Sequence, residues 1–190
     1  MNPTTVLRKP LALALALLAF GAVANGQEPL RTIPAIRGLN MDQIHQRLPV
    51  ELEAVVTFYH KDWGVLFVHD GADGICVGIS MDQRPAMPYR PGTKMKIAGV
   101  LGPGEFLPVV WPERIEITGT TEVPPHPRVG GEELFSPALD ARPVQVEAVV
   151  KGTQFSDQSL VLDLQIDGWT VRAILPQDEN QTQPPWQFLE

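Results

Sequence analysis

Residues 50–59 alternate between apolar and polar side chains, which is the period-two pattern of a strand with one buried face. The apolar side consists of Val50, Leu52, Ala54, Val56 and Phe58, and Tyr59 falls on the opposite side. Shorter runs bounded by Gly- and Asp-containing turns predict four further strands at residues 65–69, 75–79, 95–100 and 114–117. No stretch has the pattern of a long amphipathic helix, so the sequence predicts an all-β protein.

The spacing of these strands predicts a particular barrel. Three strands, a longer connection and two more strands within about 70 residues are the plan of a five-stranded Greek-key barrel of the oligonucleotide/oligosaccharide-binding (OB) type. We assign this first OB-like barrel to residues 48–119.

The start of this unit occurs again 94 residues later. Residues 48–56 read LPVELEAVV, and residues 142–150 read RPVQVEAVV. This repeat predicts a second OB-like barrel at 142–190, with strands at 143–150, 160–166 and 169–175. Strands four and five do not follow, so the second barrel is expected to be incomplete, with three strands and unpaired edges. A clipped reading frame is the simplest explanation, and completion by a partner's strand is the alternative.

Short helices and a stiff linker are predicted around the two units. Helix-like stretches precede the barrels at residues 40–46, within a lead-in of residues 25–47, and at 131–138. Residues 120–141 form a linker whose VPPHP segment, at 123–127, cannot hold a regular ladder of backbone hydrogen bonds.

The first 24 residues have the layout of a secretory signal peptide. Arg8 and Lys9 precede an apolar run, and small residues end the segment. Cleavage between Ala24 and Asn25 would place the protein in the periplasm or outside the cell. An uncleaved anchor is disfavoured, because about 13 apolar residues rise only about 20 Å as a helix, whereas the hydrocarbon layer is about 30 Å thick.

Charge and cysteine content narrow the classes of function. The chain has 15 Lys and Arg against 22 Asp and Glu, a net charge of −7, and removal of the signal peptide makes it about −9. This negative charge disfavours a nucleic-acid partner, since affinity for nucleic acid comes largely from neutralising phosphates. The single cysteine, Cys76, excludes a disulfide framework and a cysteine-built zinc site.

Several segments resemble a known family. Residues 48–59, 66–71 (LFVHDG), 74–77 (GICV) and 103–108 (PGEFLP) resemble motifs of exported tandem OB barrels at the front of bacterial sensor histidine kinases. The resemblance covers most of residues 36–175 and implies a sensory role. The chain differs from the family pattern at Ala54, His69 and Cys76, where Gly, Gln and Tyr are usual. Residues 1–190 hold no kinase, so a membrane connection would come only through downstream sequence.

Catalytic and metal sites are not predicted. His69 and Asp70 are adjacent in a strand and point to opposite faces, so Asp70 and Asp73 are interpreted as turn formers that bind backbone N–H groups. The four histidines lie on different elements, and a zinc site needs three or four clustered ligands. Cys76 has no basic neighbour to lower its pKa and is predicted to be inert. No cofactor is predicted.

Aromatic residues around the first two turns form the better candidate site. They lie where barrels of this type present a ligand face, although packing alone would also explain them. The candidate ligand-binding residues are Tyr59, Trp63, Phe67, His69, Glu105 and Phe106.

The sequence therefore favours a non-catalytic, extracytoplasmic sensory module that binds a small molecule or an envelope protein. One alternative is a single-stranded nucleic-acid binder in which the same aromatic rings stack on bases. The other is a structural spacer of the cell envelope.

Overall fold

The computed structural model describes residues 27–80, 89–156 and 159–176. The predicted signal peptide lies outside the described residues, as does the tail at 177–190. Two short helices come first, α1 (Ile33–Arg37) and α2 (Met41–His45). Eight strands follow: β1 (Pro49–His60), β2 (Val65–His69), β3 (Gly74–Gly78), β4 (Thr93–Gly102), β5 (Val109–Thr120), β6 (Val149–Ser156), β7 (Ser159–Ile166) and β8 (Trp169–Pro176).

The first five strands form a closed barrel in the order β1-β2-β3-β5-β4. All neighbouring pairs are antiparallel except β3 and β5, which are parallel at Cys76–Val109 and Val77–Val110. The five strands predicted for the first unit are confirmed. The fifth strand is longer than predicted, and its first residues pair with β3. The sequence did not indicate these residues as a strand because Pro112 interrupts the alternation of apolar and polar side chains.

The barrel interior is filled by aliphatic side chains from every strand and from α1. Ile33 and Ile36 of α1 are fully buried in the same cluster as the strand residues. The carboxylate of Asp70 accepts a hydrogen bond of 2.7 Å from the Ile33 backbone N–H, so the turn between β2 and β3 caps α1 from outside the helix. The helix predicted at 40–46 is confirmed as α2, and its capping box joins Asn40 and Gln43.

The second unit is a three-stranded antiparallel sheet in the order β6-β7-β8. Its first strand was predicted at residues 143–150, but this position is wrong, because β6 begins at Val149. The reason lies in β1, whose residues 49–55 pair with β4 and whose residues 55–60 pair with β2. No described strand takes the place of β4 beside 143–148, so only the later half of the equivalent segment forms a ladder.

Strand register supports the internal repeat. In β1 the pairing with β2 slips between Val56 and Phe58, which leaves Thr57 as a bulge. In β6 the pairing with β7 slips between Val150 and Gly152, which leaves Lys151 as a bulge, again 94 residues on. A bulge reverses the side-chain alternation, so its repetition means that both units share one local strand geometry.

The linker segment contains two 3-10 turns, Glu133–Phe135 and Pro137–Leu139, in place of the helix predicted at 131–138. Short turns of this kind carry fewer backbone hydrogen bonds than an α-helix. Many carbonyl groups here therefore remain available to side chains of the first unit.

Candidate functional site

A groove of about 530 Å³ lies between the outer face of β1 and β2 and the segment that leads into the second unit. We call it the interunit groove. Most of its surface is apolar. Its lining residues are Thr57, Phe58, Phe67, Phe106, Leu134, Phe135, Ser136, Pro137, Leu139, Asp140, Ala141, Arg142, Pro143 and Val144.

Phe58 enters the groove because of the bulge at Thr57. The simple alternation predicted Phe58 inside the barrel and Tyr59 outside, and this is wrong for both residues. The extra residue shifts the pattern, so Phe58 lines the groove whereas Tyr59 packs against the barrel core and the ring of Tyr89, with centroids 5.2 Å apart. The Thr57 hydroxyl donates a hydrogen bond of 3.2 Å to the Phe67 carbonyl across the bulge.

Phe67 and Phe106 are the two candidate aromatics that the structure brings together in the groove. Phe67 lies on β2 between the buried Leu66 and Val68, so its ring projects outward, 5.9 Å from the ring of Phe58. Phe106 reaches the groove from the loop between β4 and β5 and is 76% exposed.

A smaller cavity of about 340 Å³ adjoins the groove on the same two rings. We call it the side cavity. Glu105, another predicted residue, lines it together with Cys76 and Asp140. Asp140 also lines the groove, so both spaces share one carboxylate and two aromatic rings.

Trp63 and His69 lie near the groove but line neither space. The centroid of the Trp63 ring lies 4.4 Å from that of His60 and 6.4 Å from that of Phe58, and Trp63 is 41% exposed. The Nδ1 atom of His69 accepts a hydrogen bond of 2.9 Å from the Gly71 backbone N–H. Burial lowers the pKa of His69, and the nearby Arg142 adds to this, whereas Asp70 and Asp73 oppose it.

The far wall of the groove is held by Arg37, which sequence reasoning missed. The guanidinium donates hydrogen bonds of 2.9 to 3.0 Å to four carbonyl groups, those of Gly74, Pro137, Ala138 and Asp140. Its Nε atom lies 3.2 Å from the Asp73 carboxylate, and its side chain is only 10% exposed. Every N–H of this side chain is therefore directed at the first unit or at the linker.

Arg142 completes the attachment on the other side of Asp73. Its Nε and Nη2 atoms donate hydrogen bonds of 2.6 Å to the two carboxylate oxygens. Burial alone would raise the pKa of Asp73, but the hydrogen bonds from Arg142 and the Gly74 N–H, together with the charges of Arg37 and Arg142, hold it below its usual value. Asp73 is thus a buried anion shared by two arginines.

These arginines could not be inferred from sequence spacing, since they lie far from Asp73 along the chain. The turn-forming role predicted for Asp70 and Asp73 agrees with the structure. Asp70 accepts hydrogen bonds from the Ala72 and Asp73 N–H groups, and Asp73 accepts one from Gly74. What the sequence did not signal is the second use of the Asp73 carboxylate as an anchor for the linker.

The linker backbone approaches the barrel closely at Gly74. A Cβ atom at this position would lie 2.3 Å from the carbonyl oxygen of Ala141, so only glycine allows the contact. Ala141, the residue before Arg142, has a positive φ of 58°.

The nucleophile and metal-ligand chemistry of this region is limited. Burial and the charge of Asp140 raise the pKa of the Cys76 thiol to about 11, so little thiolate forms at neutral pH. Within residues 27–80, 89–156 and 159–176, His, Cys, Asp and Glu side chains form no group of three placed to hold a metal ion.

Comparisons with known proteins returned no match to a family model, to a curated protein or to a solved structure. Within the part of the chain that the structure describes, none of the helices has the length and apolar character to cross a bilayer.

Proposed function

We propose that this protein is a non-catalytic, extracytoplasmic sensory module that binds a ligand in the interunit groove. Its two units are OB-like, the second with three strands, and it forms part of a signalling receptor related to the bacterial sensor histidine kinases that carry exported tandem OB barrels at their front. The strand order β1-β2-β3-β5-β4 with a parallel β3–β5 pair supports the OB-like assignment of the first unit.

One observation carries the proposal: the far wall of the groove is also the connection to the second unit. Residues 137–142 are fixed to the first barrel by Arg37 and Arg142. Phe135, a few residues earlier, contacts Trp169 of the second sheet with ring centroids 5.0 Å apart. A ligand in the groove would therefore contact both the barrel and the segment that positions the second sheet.

A binding role fits this groove better than catalysis. Its volume falls in the range of small-molecule sites, and its surface is mostly apolar with a few polar groups. Two of the polar residues that line it already bind protein groups, Thr57 the Phe67 carbonyl and Arg142 the Asp73 carboxylate. The pKa of Cys76, the only thiol, is raised rather than lowered.

The nucleic-acid alternative receives less support. Tyr59, one of its four proposed stacking residues, packs against the core, and Trp63 lies outside the groove. Carboxylates of Asp140 and Glu105 flank the remaining rings, Phe67 and Phe106, and would repel phosphates.

A thermal-shift screen with small aromatic compounds tests the proposal. Two variants each remove one exposed phenyl ring: Phe106→Ser, in the groove, and Phe155→Ser, on the second sheet, where the ring is 65% exposed. We expect compounds that stabilise the protein and Phe155→Ser but not Phe106→Ser. A hundredfold excess over the dissociation constant gives about 2.7 kcal/mol. Stabilisation of all three proteins alike, or of none, would contradict the proposal.

A further inference from the structure

The ligand of the groove can be characterised further by the charges that surround its aromatic rings. Among the residues that line the interunit groove and the side cavity, the charged ones are Asp140, Glu105 and Arg142. Two of these are carboxylates and one is a guanidinium. The ligand charge that the groove favours depends on which of these groups is already paired within the protein.

The guanidinium is already paired. Arg142 binds both carboxylate oxygens of Asp73 at 2.6 Å, so its Nε and Nη2 atoms are engaged in charge-assisted bonds within the protein. Arg37, the other nearby cation, is 10% exposed, and its N–H groups are directed at Asp73 and at four backbone carbonyls. Arg37 is therefore not arranged to hold an anion in the groove, and Arg142 could offer an anion only the N–H groups that do not bind Asp73.

The two carboxylates, by contrast, have no cationic partner among the residues that the structure describes. Within the described residues, no hydrogen bond or ion pair engages the side chains of Asp140 or Glu105. Asp140 lines both the groove and the side cavity, and its charge helps to raise the pKa of Cys76 on the wall of the side cavity. The region where the groove meets the side cavity is therefore lined by two carboxylates that no described cation binds.

Aromatic faces beside carboxylates are the combination that recognises organic cations. The negative face of a ring attracts an ammonium group, and a nearby carboxylate adds a direct charge interaction. Phe67 and Phe106 line both spaces, and Phe58 and Phe135 extend the apolar surface of the groove. An apolar or aromatic body would fill the groove, while its cationic group would lie toward Asp140 and Glu105.

We infer that the ligand is a small organic cation with an aromatic or aliphatic body, such as a substituted ammonium compound. This inference rests on the proposed function, because it concerns the same groove. Phosphorylated and carboxylated ligands are disfavoured, since they would meet two carboxylates that have no partner among the described residues.

Three probes of similar shape test the inference by calorimetric titration: 2-phenylethylamine, 2-phenylethanol and 3-phenylpropanoate. We expect the amine to bind at least tenfold more tightly than the alcohol and the carboxylate to bind most weakly. Added salt should weaken the binding of the amine and leave the binding of the alcohol unchanged, because only the amine carries a net charge that salt can screen.

Variants locate the charge effect. Asp140→Asn and Glu105→Gln together should reduce the preference for the amine over the alcohol to less than about threefold while the alcohol still binds. Glu122→Gln removes one charge from an exposed position that lines neither space, and it should leave the preference unchanged. Urea unfolding of each variant checks that the fold is retained.

The outcomes separate the two proposals. Equal binding of amine and alcohol, or tighter binding of the carboxylate, would overturn the inference and leave the groove as a binding site. A preference for the amine that survives the double substitution would also overturn it. If no probe binds at millimolar concentration, the inference and the proposed function both lose their support.

Discussion

The two units of this protein begin with the same strands and bulge but differ in how they are covered. Val56 of β1 is 0% exposed, whereas Val150, its counterpart 94 residues later, is 47% exposed. The difference comes from β4 and β5, which close the first barrel and have no described counterpart in the second unit. An alternating strand pattern therefore supplies a face that can be buried, and closure by other strands decides whether it is.

Ion pairs differ between the two regions in the same way. Asp73 is 9% exposed at its side chain and binds two arginines. Asp163 of the second sheet is 46% exposed and has one partner, Arg172, at 3.3 Å. The first arrangement can stabilise the attachment of the linker, whereas the second is largely screened by water.

The largest effect on stability is expected at Arg37, and Arg172 of the second sheet serves as the comparison. Arg37→Met leaves four carbonyl groups without their donor and Asp73 with one partner fewer, so we expect a loss of about 3–5 kcal/mol in the free energy of unfolding. Arg172→Met breaks only an exposed pair and should cost about 0–1 kcal/mol. Urea denaturation measures both. Similar small losses in the two variants would mean that Arg37 does not anchor the linker.

A smaller effect is expected at the repeated valine. Val56→Ala removes two buried methyl groups and should destabilise the protein by about 2 kcal/mol. Val150→Ala, at the equivalent half-exposed position, should cost less than about 1 kcal/mol. Equal costs in denaturant titrations would show that the second sheet is covered as well as the first.

The smallest expected effect concerns pH. The pKa of His69 is lowered in the folded state, so the unfolded chain binds a proton more readily and stability falls as the pH drops below about 6.5. Protonation of Nδ1 would also displace the Gly71 N–H. His69→Gln should flatten the dependence of stability on pH between pH 7 and 5, as measured by urea midpoints. The control substitution His126→Asn, at an exposed position, should not flatten it. An unchanged curve for His69→Gln would assign the acid sensitivity elsewhere.

At lower pH a second loss is expected in the wild-type protein. The pKa of Asp73 is held below 3.8, so its stabilising pairs with Arg37 and Arg142 persist at neutral pH and are lost as the pH falls through the lowered value. This loss should be present in His69→Gln as well, which separates the two groups.

The strands and the repeat were predictable because side-chain periodicity reports which face of a strand is buried. The bulge at Thr57 was not, since no residue type marks it, and the error exchanged Phe58 for Tyr59 in the candidate site. The start of β6 was also wrong, because pairing depends on a neighbour that the local pattern of residues 143–148 cannot show.

The candidate site was only partly predictable. Phe67, Glu105 and Phe106 could be chosen because they are aromatic or polar residues in turns and on an outward strand face. The contribution of Arg37 and Asp140 depends on tertiary contacts across about 100 residues of chain, such as the bond from Arg37 to the Asp140 carbonyl. Local sequence patterns carry no information about such contacts.

Native-state hydrogen exchange across the repeated segment tests the account most directly. We predict slow exchange for those amides of residues 49–54 that donate to β4, and rapid exchange for their counterparts in 143–148, apart from Gln145, whose N–H donates to the Pro127 carbonyl at 2.9 Å. Slow exchange throughout 143–148 would mean that another strand pairs there, and it would contradict the contrast between a closed first unit and an open second one.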